Sequence, residues 1–99
     1  MTLSALEELE QKYSEIVDLM PAKFDSHKFI LVLAQRYQRA YVRALNEYAG
    51  NNQPFQTVHG LIAKKLKQHE DLVKHIDNKT SKNIFRLDSD AAIWEKVKK

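Results

Sequence analysis

An all-α domain is the fold class this sequence predicts, an up-down-up-down four-helix bundle built on a long antiparallel helical hairpin. Three observations carry that expectation. Apolar residues recur at steps of three and four along most of the chain, the spacing of one helix face. Glycine and proline number two each, too few for the many tight turns of a sandwich or barrel. Capping residues stand where the periodic stretches begin. The expected helices span residues 4–20, 26–49, 54–77 and 81–98 of one helical domain, 1–99.

The first helix opens at Ser4, whose hydroxyl can accept from the backbone three residues on while Glu7 reaches back, a capping box. Leu6, Leu9, Tyr13, Ile16 and Met20 then draw a narrow apolar seam, and Pro21 ends it. The second helix has Asp25 as its N-cap, with Phe24 and Phe29 placed as a hydrophobic staple. At about 100° per residue, Ile30, Leu33, Ala34, Tyr37, Tyr41, Ala44 and Tyr48 gather on one side, and Arg36, Arg39 and Arg43 on the other. Gly50 follows as a C-terminal cap and Asn51-Asn52-Gln53-Pro54 as a short turn.

Phe55, Val58, Ile62, Leu66, His69, Val73 and Ile76 keep helical phase to Asp77, which predicts one continuous third helix. Gly60 costs it about 1 kcal/mol relative to Ala, too little to break it. A break near Gln68, giving a helix-turn-helix, is the alternative. Asn78-Lys79-Thr80-Ser81 reads as a turn, and Ile84, Leu87, Ala91, Trp94 and Val97 as the stripe of a fourth helix. Within it, Ile84-Phe85-Arg86-Leu87 has poor periodicity and is alternatively a short extended segment. The two central helices would each run about 36 Å. The expected inward residues are Leu6, Leu9, Ile16, Ile30, Leu33, Tyr37, Tyr41, Leu45, Val58, Ile62, Leu66, Val73 and Trp94.

Composition excludes several chemistries. Without cysteine there are no disulfides, thiolate zinc sites or cysteine nucleophiles. His69 and His75 are six apart, about 120° around a helix, whereas two zinc-binding histidines need one face. His59 and His69 lie too far apart along the axis for one ion. Asp88 and Asp90 begin like a calcium loop, but Ile93 replaces the turning glycine and Lys99 the closing glutamate. Two isolated glycines make no phosphate-cradling loop. The expectation is therefore no catalytic residue, no metal, no cofactor and no small-molecule substrate. No secretory signal or membrane-spanning run is expected either, which points to the cytoplasm.

Charge is uneven. Residues 1–20 hold five acids against Lys12, a net of −4, so with +3 overall the rest carries +7. Arg36, Arg39 and Arg43, supplemented by Lys64 and Lys67, are a candidate anion or nucleic-acid face. Tyr37, Tyr41, Tyr48 and Trp94 are candidate interface residues, since their rings share a stripe with aliphatic core positions. Three functions follow from different classes. The leading one is a non-enzymatic helical interaction module that binds a protein partner or a second copy of itself as a homodimer. The next is a nucleic-acid-binding protein using the basic face. The third is a stoichiometric inhibitor of the antitoxin or immunity kind.

Overall fold

The computed structural model describes residues 3–97, so the expected helix end at 98 and Lys99 lie outside the described residues. It overturns the fold class. The described residues are mixed α/β, with five helices and a three-stranded antiparallel sheet, and form neither an all-α bundle nor a long helical hairpin.

The first expected helix is two shorter ones, α1 (Ala5–Glu10) and α2 (Tyr13–Leu19). The capping box at its start forms: the Glu7 N–H donates to Ser4 Oγ and the Ser4 N–H to Glu7 Oε1, both at 3.1 Å. The chain after Pro21 is extended as β1 (Lys23–Asp25). Asp25 then caps α3 (Ser26–Arg36), accepting from the Lys28 N–H at 2.8 Å, and the Phe24 and Phe29 rings stack 6.2 Å apart as the staple. The second expected rod kinks at Tyr37, where φ −127° and ψ 59° leave the helical region, and resumes as α4 (Gln38–Glu47).

Gly50 does not act as a left-handed cap, since no glycine has positive φ. Helix α4 instead tapers through tight backbone bonds, Tyr48 N–H to Leu45 and Ala49 N–H to Asn46. Helix α5 (Pro54–Lys67) begins with proline in its first turn and stops before Gln68, ten residues short of the expected end. The break is where the alternative sequence reading put it, but a strand follows rather than a helix.

That strand, β2 (Val73–Lys82), pairs with β3 (Asp88–Lys96) from Val73↔Lys96 to Lys82↔Asp88. Ile76 is the extra residue of a bulge, because His75 faces Trp94 and Asp77 faces Ile93. Strand β3 also pairs with β1, giving the order β1-β3-β2. The segment 78–81, expected as a turn, lies inside β2. The true turn is at 83–87, where Asn83 Oδ1 accepts from the Phe85 and Leu87 N–H groups and Arg86 takes φ 64°. Asp, Asn, Thr and Ser between 77 and 81 are poor helix formers, and pairing with the Trp94 strand decides the outcome.

The core is nevertheless close to the expected one. All the expected inward residues are buried except Tyr37 and Leu45, which are partly buried. Tyr13 joins them, its ring edge-on to Phe29 at 4.9 Å and its hydroxyl donating to the Ile62 carbonyl at 2.8 Å. Trp94 ties the sheet to α3 by donating from Nε1 to Ser26 Oγ at 2.9 Å. Helix α1 lies along α4, and α5 packs between α4, α1 and the base of β2. Among the described residues no helix is long and apolar enough to cross a membrane.

Candidate nucleic-acid interface

Helix α5 is two-sided for a reason its sequence states. Val58, Ile62 and Leu66 are fully buried, one turn apart. At about 100° per residue, Gln56, Gly60, Lys64 and Lys67 fall on the opposite side within about 80° of one another, and all four are exposed. Helices α4 and α5, joined by residues 48–53, thus present the second helix with a polar and basic outer face.

Acidic residues of α1 engage cations of α4 and α5 and the His69 imidazole that follows α5. Lys65 points toward α1, and Glu10 receives its ammonium at 3.2 Å and His69 Nε2 at 2.8 Å. Burial works against ionisation of Glu10, but hydrogen bonds from His69 and Lys65 outweigh it and hold the carboxyl below its usual range. Glu8 pairs with Arg43, and Glu15 accepts from the Tyr37 hydroxyl. Elsewhere Lys82 pairs with Asp88 at 2.7 Å and Lys23 with Glu95 at 3.9 Å. Lys64 and Lys67 of α5, and Lys74, Lys79 and Arg86 of the hairpin, meet no carboxylate among the described residues.

The structure divides the basic residues singled out in the sequence. Arg36 and Arg39 are exposed around a shallow depression that Glu8 also lines, and Arg43 is engaged by that same Glu8. Lys64 and Lys67 belong to the other surface, on α5. The aromatic residues divide as well. Tyr37 is partly buried with the Lys12 ammonium 5.4 Å over its ring, Tyr41 and Trp94 are buried, and Tyr48 is partly buried.

Beside the outer face of α5 runs a cleft of about 400 Å³, with Gln56, His59, Gly60 and Ala63 on one wall and Asn83, Ser89 and Asp90 of the hairpin on the other. His59 sits in an aromatic cluster: its ring stacks near Tyr41, its Nε2 lies 2.6 Å from the Tyr41 hydroxyl, and Phe55 and Phe85 flank it. Burial, with His27 adding repulsion, pushes the His59 imidazole down to about 4. Phe85 rests edge-on against Phe55 at 4.8 Å, so the hairpin tip is seated on the first turn of α5.

One chain of side chains has the composition of a catalytic triad without its chemistry. Ser81 Oγ donates to Asp25 Oδ2 at 2.9 Å and lies 2.8 Å from His27 Nδ1. The single hydroxyl proton goes to the carboxylate, so His27 must donate to the serine and cannot act as its base. Among the described residues no group of three His, Cys, Asp or Glu could hold a metal.

The hairpin cations escape sequence reasoning because they depend on β2 being a strand, and the Tyr41–His59 pair because it depends on how α4 packs on α5. The short polar run around Asn83, flanked by exposed apolar residues, is the local sign of that turn. No protein-family model, no curated protein and no solved structure matches the chain.

Proposed function

We propose that this protein binds duplex nucleic acid through a helix-turn-helix formed by α4 and α5, with α5 as the helix laid in the major groove. The observation that carries the reading is the presence, on α5 and the adjoining hairpin, of cations that meet no carboxylate among the described residues. The carboxylates of α1 engage Arg43, Lys65 and His69, while Lys64 and Lys67 on α5 and Lys74, Lys79 and Arg86 on the adjoining hairpin, like Arg36 and Arg39 on the other surface, meet no carboxylate among the described residues. Free cations on a helix and an adjacent ribbon suit phosphates on either side of a groove. Helix α5, of 14 residues, is about 21 Å long and of a width the major groove admits. Its connection to α4, residues 48–53, is longer than the roughly three- or four-residue turn common in such motifs.

Fluorescence anisotropy with a labelled mixed-sequence duplex, titrated over a range of salt, tests the proposal. Affinity should fall steeply as salt rises, because each neutralised phosphate releases counterions. Replacing both Lys64 and Lys67 by Ala should weaken binding and flatten the slope of log K against log salt by about 2. Replacing Arg36 and Arg39 by Ala, on the other surface, should leave the slope unchanged. Absence of binding at low salt, or binding indifferent to salt, overturns the proposal.

A further inference from the structure

Glycine inside a helix is unfavourable unless the backbone needs a conformation or a closeness that a side chain forbids. Gly60 lies in the middle of α5, and its φ is not positive, so conformation does not require it. Packing does not require it either, since a Cβ built there meets no atom within 4 Å. The residue is exposed, and the fold gives no account of it.

Its position gives one. Gln56 and Lys64 stand one turn before and one turn after it on the same face, so the absent side chain leaves a notch between two long polar ones, about 12 Å apart along the axis. The notch opens into the cleft whose far wall is the hairpin, at Asn83, Ser89 and Asp90. We infer that Gly60 is the point at which the wall of the bound nucleic-acid groove comes into contact with the α5 backbone, so that binding requires position 60 to carry no side chain. The inference rests on the proposed function. It adds a contact made by shape to those made by charge.

Gly60→Ala separates fit from stability because the two respond in opposite directions. With open space and a compatible backbone, alanine should raise the melting temperature by about 4–8 °C. Affinity for the same labelled duplex should fall at least about tenfold, with the salt slope unchanged because no charge is altered. Gln35→Ala, an exposed position on α3 beside Arg36 on the other surface, serves as the control and should leave affinity as it is. If Gly60→Ala raises the melting temperature and binds as tightly as the parent, or if it lowers the melting temperature, the inference is overturned. The charge reading still stands in either case, provided the Lys64 and Lys67 replacements weaken binding. If the parent protein shows no salt-dependent binding, both are overturned.

Discussion

Acidification should destabilise this fold through His59 before its carboxylates begin to matter. The imidazole is enclosed by Tyr41, Phe55 and Phe85, and its free base is the form that fits there. Burial first, and the neighbouring His27 second, lower it from 6.5 to about 4. Since the folded value lies below the unfolded one, unfolded chains take up the proton first. The stability contributed by neutral His59 is therefore complete above about pH 6.5 and is lost as the pH falls from there toward about 4. At about 1.4 kcal/mol for each pH unit of displacement the ceiling is ~3 kcal/mol, and solvent around a partly buried ring reduces this to ~1–2 kcal/mol. Urea unfolding followed by fluorescence of Trp94, the single tryptophan, reads it directly. Stability should drop by about 1 kcal/mol between about pH 7 and pH 5, and His59→Phe should remove most of that drop. A parent protein equally stable at both pH values, or a His59→Phe variant with the full drop, would refute the reasoning.

Tyr13→Phe removes the hydroxyl that the Ile62 carbonyl accepts and should cost about 1 kcal/mol in urea unfolding, with the ring packing on Phe29 intact. At the alkaline end, burial raises the phenol of Tyr13 well above its ordinary value and that of Tyr41 to about 12. Both favour the folded state below about pH 10, so stability should decline as pH rises past that point, less so in Tyr13→Phe. Ser26→Ala leaves the buried Trp94 indole N–H without its acceptor and should cost ~1–3 kcal/mol, with a shifted Trp94 emission maximum as a second readout.

Local signals in the sequence proved more legible than long-range ones. Ser4 with Glu7, and Asp25 with Phe24 and Phe29, act within four or five residues, and each does in the structure what its spacing predicts. The inward residues were also legible, because burial follows the apolar pattern whichever elements meet. Segment 69–97 was not. His69, Val73 and Ile76 continue the phase of α5, and Ala91 and Trp94, both buried in β3, are three apart, a spacing a helix would share. Two periodic alternatives fit the same residues, and the choice lay in the pairing of β3 with strand β1, whose partners, such as Phe24 and Trp94, lie far apart in sequence. The candidate site shared this fate. Lys64 and Lys67 were visible as one face, but Arg43 could not be set apart from Arg36 without knowing that Glu8 lies against it.

Strand β2 is ten residues long and forms the outer border of the sheet, so one row of its amide and carbonyl groups has no neighbouring strand. Such a border ordinarily invites another chain to zip onto it and seeds fibrils. The bulge at Ile76 puts that row out of step near its start, and Lys74 before it and Lys79 after it set repelling charges along the strand. An incoming copy would meet a crooked template that repels it, and the hairpin can extend into water without becoming a nucleus for aggregation.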